Sequence, residues 1–272
     1  MTGDGQVSCA VDKAGIATIT ISRGERNQMA PRFVEDLRET LLAADADPEV
    51  RAVVLTGAGR SFSVGADLSS GVTALEELFE ADGGYREPDY REPAARMVLA
   101  MASVGVPIVA AINGDAVGGG ATITLAADAR FAVPTARFGF PFTRLGLCPE
   151  GASTYYLPRL VGHARATDWL LSGRLVPATE ALEAGMVSEL VAPEQLVEHA
   201  REFARGLVAH SSPTAVAVTR ALLNANPQTP DQAAQGESSA IVELARAADC
   251  REGTEAFRQR REPRFRPREP RV

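Results

Sequence analysis

Short runs in which every position is apolar or β-branched alternate along this chain with stretches where apolar residues recur every three to four positions. ATITIS, Ala17 to Ser22, is bounded by Gly15 and Gly24; RAVVLT, Arg51 to Thr56, stops at Gly57; PIVAAI, Pro107 to Ile112, runs into NGDAVGGG. Such runs, apolar on both faces and closed by glycine, predict strands covered on both sides. Ala129 to Val133 predicts another. Pro31 to Asp45 has Phe33, Leu37, Leu41 and Leu42 at a helical period, with Pro31 suited to a first turn, and Gly120 to Asp128 reads as a buried helix. Strand, turn and helix recur, which predicts an α/β class.

The stretch Gly71 to Glu92 breaks that rhythm with mixed polarity, adjacent glycines Gly83 and Gly84, and two tyrosines, and reads as a mobile insertion or lid. Within it Leu75, Leu78 and Phe79 have helical spacing, suited first to core packing and second to lining a pocket. From about Pro193 the strands disappear. Helical patterns take over at Glu194 to Ala209, Pro213 to Ala225 and Gln232 to Arg261, dividing the chain into a core of residues 1–195 and a helical region of 196–272.

A chain of 272 residues with 45% apolar content can bury a large core. No apolar run is long enough to span a membrane, and MTGDGQVSCA lacks the zones of a signal peptide, so the expected location is cytoplasmic, away from membranes. Cys9, Cys148 and Cys250 are odd in number and widely spaced, which argues against disulfides and zinc and predicts buried or inert thiols. His163, His199 and His210 are equally scattered on segments that read as helical surface, so no metal is expected. A net charge of -7 disfavours nucleic acid as a partner. The tail RQRREPRFRPREPRV, Arg258 to Val272, is basic against this background: either a solvated tail or a contributor to binding an anionic cofactor.

Two glycine-rich stretches offer chemistry. GAGRSFSVGADL, Gly57 to Leu68, follows a predicted strand, and its glycines permit a turn that points amide N–H groups at one spot. It has neither a Walker lysine nor the dinucleotide-binding spacing. NGDAVGGGATITLAAD, Asn113 to Asp128, puts three glycines at a helix entrance. Each costs roughly 1 kcal/mol inside a helix relative to alanine, so three together predict close approach to backbone. One backbone donor from each loop would form an oxyanion hole for a carbonyl oxygen becoming an enolate.

These two stretches, with FGFPFTRLGLCPEGASTYYLPRLVG, SGRLVPATEALEAGMVSELV and DCREGTEAFRQRREPRF in that order, resemble the crotonase superfamily, the enoyl-CoA hydratases and isomerases, over nearly the whole chain. The resemblance implies a spiral of ββα units and a helical C-terminal region that builds homotrimers, often paired as dimers of trimers. It implies an acyl-CoA thioester as substrate and no cofactor beyond its CoA moiety. Position by position, Ala66 and Gly119 would supply the oxyanion N–H groups. Arg26, Gln28 and Ala30, with Val64, Asp67 and Leu68, would wall the pantetheine arm and adenine. Phe257 and Arg260 match positions that reach the nucleotide of a neighbouring subunit.

The resemblance also has gaps. Hydratases of the superfamily carry two glutamates, and the matching positions here are Thr122 and Phe142. A hydroxyl and an aromatic ring cannot replace two bases near neutral pH, which argues against ordinary syn hydration. Several isomerase branches instead take their acid and base from the LGL-x-P-D/E stretch, which here places Glu150. Moving a double bond from carbon 3 to carbon 2 needs one base, which removes a carbon-2 proton and returns it at carbon 4. An apolar wall including Phe142 would raise the pKa of Glu150 and strengthen it as that base. The leading expectation is therefore a delta-3,delta-2-enoyl-CoA isomerase. Hydration, hydrolysis or decarboxylation of an acyl-CoA is the alternative reaction, and a non-catalytic acyl-CoA binder the alternative class.

Overall fold

The computed structural model describes residues 5–68, 71 and 89–268. Leu75, Leu78 and Phe79, and most of the expected insertion, lie outside them.

The apolar runs pair as consecutive strands that part company into two sheets. The first strands of three such pairs, β3 (Ala52–Gly57), β5 (Ile108–Ile112) and β7 (Ala129–Ala132), join β2 (Ile16–Ser22) as parallel neighbours in one sheet, flanked by β1 (Gln6–Val11) and β10 (Glu189–Leu190). The second strand is short and joins the other sheet, where β4 (Ser61–Ser63), β6 (Asp115–Val117) and β8 (Arg137–Gly139) run parallel and β9 (Leu175–Pro177) closes the edge antiparallel. After β2 comes α1 (Pro31–Ala46), α2 (Pro93–Ser103) lies between β4 and β5, and after β6 comes α3 (Gly119–Leu125). This stepwise ββα repetition is the spiral that the resemblance to the crotonase superfamily implies.

Burial explains the placement. Every residue of β3 and β5 is buried, and Leu37 and Leu41 of α1 surround a small internal space together with Val53, Leu55 and Ile108. The helices α4 (Ser153–Val161), α5 (His163–Ser172) and α6 (Ala178–Glu183) follow a 3-10 turn at Pro141–Leu145. Two buried guanidiniums fasten the frame. Arg130 donates to the carbonyls of Met186 and Ala127, and Arg220 pairs with Asp128 at 2.8 Å while donating to Met101 and Val104 carbonyls. Burial holds the Arg130 pKa down to about 10, and its carbonyl partners keep the cation satisfied.

Beyond residue 195 lie α7 (Leu196–Val208), α8 (Pro213–Asn224), α9 (Pro230–Arg246) and α10 (Ala248–Gln259). The division expected there falls just before α7, whose Leu196, Ala200, Ala204 and Val208 join the same core as the sheet. The single helix expected over Gln232 to Arg261 is two, because the backbone turns extended at Ala247, ψ 158°. No proline or glycine marks that break. The thiols differ from expectation as well: Cys9, Cys148 and Cys250 are all exposed, since each sits on an edge strand, a loop or an outer helix. Among the described residues no cluster could hold a metal ion, and no helix is long and apolar enough to cross a membrane.

Candidate active site

The two glycine-rich loops meet because neither carries side chains where they cross. Gly65, at φ +77°, lies against the turn into α3: a methyl group built on it would stand 2.7 Å from the Val117 carbonyl oxygen and 3.2 Å from the Gly119 nitrogen. Gly120 is equally constrained, with a methyl position 2.2 Å from the Ser63 carbonyl oxygen. Thus α3 seats directly on β4, and the amides of Ala66 and Gly119 are brought to one place. Neither amide donates to a partner among the described residues. Both line the same cavity of about 430 Å³. Free N–H groups converging on a cavity from a loop and a helix start are what an oxyanion hole requires.

The loop carrying Ala66 is zipped to the segment Arg26 to Ala30. Val64 N–H donates to the Arg26 carbonyl, Met29 N–H to that of Gly65, and Met29 bridges Ala66 in parallel. Asn27, at φ 50°, anchors the crossing by donating to the Ala58 and Ser61 carbonyls. Sequence reasoning passed over Asn27, whose only signal was its fitness for a left-handed turn.

Glu150 approaches from the other side. It ends the stretch after the 3-10 turn, where Gly151 and Ala152 both adopt left-handed backbone, φ 59° and 51°, before α4 begins. Gly151 must be glycine, because a methyl there would stand 2.7 Å from Thr122 Oγ1. Ala152 is a non-glycine residue in that region, a local strain of the kind found at functional sites. The turn directs the Glu150 carboxyl over α3: a methyl on Gly119 would lie 3.1 Å from Glu150 Oε1. Glu150 is half-buried as a residue; it shares the cavity wall with Phe142, Leu145, Leu147 and Val117, and its carboxyl accepts no hydrogen bond among the described residues. Burial first, and the charge of Glu92 second, push its pKa up to about 8.

The remaining expected site residues separate into two groups. Val64, Leu68 and Phe142 line the cavity with Ala66, Gly119 and Glu150. Thr122 does not: it is fully buried beneath the Glu150 turn, its hydroxyl donating to the Gly119 carbonyl, so its role is to support that turn. Arg26, Gln28, Ala30 and Asp67 also lie outside the cavity, on the strip beside the Ala66 loop. Phe257 and Arg260 are at the exposed end of α10, Phe257 86% exposed and Arg260 left-handed at φ 52°. Glu92, which sequence reasoning left out of the site, lines the cavity, as does Cys148. The Glu-Pro pair at residues 92 and 93 signals only a helix start, and nothing in its spacing connects it to a residue 58 positions later.

Two mostly parallel sheets wound by ββα steps, with paired backbone amides and a carboxyl on one cavity wall, fit a crotonase-type site. The sequence model of the enoyl-CoA hydratase/isomerase family matches residues 12–268, and the chain belongs to that family. It is 37% identical over 256 residues to the enoyl-CoA hydratase AFT3-1 of Alternaria alternata, covering 93% of this chain and 84% of that one. It is 34% identical to the 1,2-epoxyphenylacetyl-CoA isomerase of Escherichia coli, covering 92% and 95%. Among solved structures, the enoyl-CoA hydratase of Bacillus anthracis superposes with a TM-score of 0.83 at 30% identity, covering 96% of this chain and 99% of that one.

Proposed function

We propose that this enzyme shifts a double bond from carbon 3 to carbon 2 of an acyl-CoA thioester through an enolate, with Glu150 carrying the proton. The observation behind this reading is the Glu150 carboxyl beside Gly119, facing two unpartnered amides inside an apolar cavity. The thioester oxygen would accept from the Ala66 and Gly119 N–H groups. Glu150 would take the carbon-2 proton, the electrons would move into the enolate, and the same carboxyl would return the proton at carbon 4. A carboxyl titrating near 8 is a far stronger base than an exposed glutamate, which suits removal of a carbon-bound proton. Phe142, where hydratases place a carboxylate, serves here as part of the desolvating wall.

On the same reading, Arg26, Gln28, Ala30, Val64, Asp67 and Leu68 flank the CoA arm, and no cofactor beyond CoA is needed. Phe257 and Arg260 would meet the nucleotide across a subunit boundary in a homotrimer or a dimer of trimers. The exposed Leu223, Ile241 and Val242, and an α9 with no buried residue, support such assembly, which sedimentation would read directly. A cytoplasmic setting fits a CoA-thioester substrate.

Hydration is the second reading, favoured by Glu92, a second carboxylate in the cavity wall. Incubation of 3-enoyl-CoA with wild type and Glu150→Gln, following conjugated-thioester absorbance and product mass, decides between them. Isomerisation leaves the mass unchanged and is lost in Glu150→Gln; equal rates in both proteins would remove Glu150 from the mechanism. A product heavier by one water, formed from a 2-enoyl-CoA supplied in parallel, would favour hydration.

A further inference from the structure

Glu92 occupies the N-cap position of α2, where an acidic side chain ordinarily accepts from the helix's own first amides. It makes no such bond. Its Oε1 reaches across the cavity wall and accepts from Gly151 N–H at 2.9 Å, the amide immediately after Glu150. Its Oε2 is buried and has no hydrogen-bond partner among the described residues. A helix cap has been given up for a link to the Glu150 turn, and one carboxylate oxygen is left without a hydrogen-bond partner among the described residues.

On Glu92's own stretch of chain, Arg91 donates to the Tyr90 carbonyl, and Arg96 donates to the Arg91 carbonyl and stands 3.9 Å from Glu35. Of the described residues lining the cavity, Tyr90, Glu92, Cys148 and Glu150 are titratable, and none is a cation. The helix α3 brings no titratable group, and Arg144 of the 3-10 turn is exposed and donates to the Ser172 carbonyl. From α4, Tyr155 lies under the Arg159 guanidinium, and Tyr156 is half-buried. Glu92 is the charge that acts on Glu150.

We infer that Glu92 is a positioning residue for Glu150: it ties the Glu150–Gly151 turn to the start of α2 and sets a negative charge beside the acid/base. This rests on the reading of Glu150 as the proton carrier. Its consequence is a division of labour in which the Glu92 carboxylate holds the turn and adds to the burial that raises the Glu150 pKa, while Glu150 carries the proton.

The test is a carboxyl carbon-13 titration of glutamate-labelled protein, the Glu150 resonance being assigned by its loss in Glu150→Gln. Glu92→Gln keeps an acceptor for Gly151 N–H and removes the charge; Glu92→Ala removes both. In both variants the Glu150 midpoint moves to lower pH. In Glu92→Gln the pH limb of kcat/KM for 3-enoyl-CoA moves with it, and the plateau falls about threefold or more as the base weakens. Glu92→Ala loses a further tenfold or so in kcat with KM little changed, since the turn is no longer held. A Glu150 midpoint identical in wild type and in whichever variant folds overturns the inference, as does lost activity without a moved midpoint. A moved midpoint in an enzyme that turns over no 3-enoyl-CoA supports the Glu92 inference and rejects the proposed reaction instead.

Discussion

Replacing Glu150 by glutamine removes the proposed base, and it should also make the protein more stable at neutral pH. The carboxyl titrates at about 4.5 when unfolded and about 8 in the fold. A group whose folded pKa is raised contributes its full stability below the unfolded value and loses it as pH rises towards the folded value. For Glu150 the loss therefore runs from pH 4.5 to 8. At about 1.4 kcal/mol per pH unit, keeping this carboxyl neutral in the fold at pH 7 costs up to about 3 kcal/mol. Glutamine does not ionise when unfolded and escapes this cost, though its buried amide gives back about 1 kcal/mol. The net gain expected for Glu150→Gln is about 1–3 kcal/mol at pH 7, vanishing near pH 4.5. Urea denaturation of both proteins across pH 4.5 to 8 measures it. A stability difference that does not change with pH over that window would refute the buried, proton-holding carboxyl.

Four further outcomes follow from the same geometry. Gly119→Ala places a methyl 3.1 Å from Glu150 Oε1 and 3.5 Å from Met29 Sδ, so it should fold but lose at least ~10-fold in kcat through displacement of the base. Gly120→Ala drives its methyl into the Ser63 carbonyl and should instead lower the thermal midpoint or prevent soluble expression. Arg220→Ala strands Asp128 and the Met101 and Val104 carbonyls, a loss of about 3–5 kcal/mol measurable by denaturant titration. Wild-type kcat/KM for 3-enoyl-CoA should rise with pH to a plateau above about 8, because the free enzyme's base must be ionised to act.

How much of this was legible in the sequence depends on what each residue packs against. Strands β3 and β5 read clearly because burial on both faces selects near-continuous apolar runs, and β2 because its isoleucines alternate with β-branched threonines. The edge strand β1 is mostly exposed, so QVSCAV carried no pattern, and the three-residue strands of the second sheet are too short for any periodicity. The glycines of the two loops announced close backbone contact but not that Gly65 and Gly119 would touch. Glu150 stood out through the missing acids at Thr122 and Phe142. Glu92 had no local signal: its importance comes from a tertiary hydrogen bond to Gly151, which local spacing cannot encode.

The central claim is that Glu150 moves a proton at carbon 2 of a thioester enolate held by the Ala66 and Gly119 amides. Deuterium exchange in heavy water measures that step without requiring turnover to product. Incubated with a 3-enoyl-CoA thioester, wild type should introduce deuterium at carbon 2 of the recovered substrate or carbon 4 of the isomerised product, and Glu150→Gln should introduce essentially none at either. Exchange at equal rates in the two proteins, or no exchange in wild type, would contradict the account.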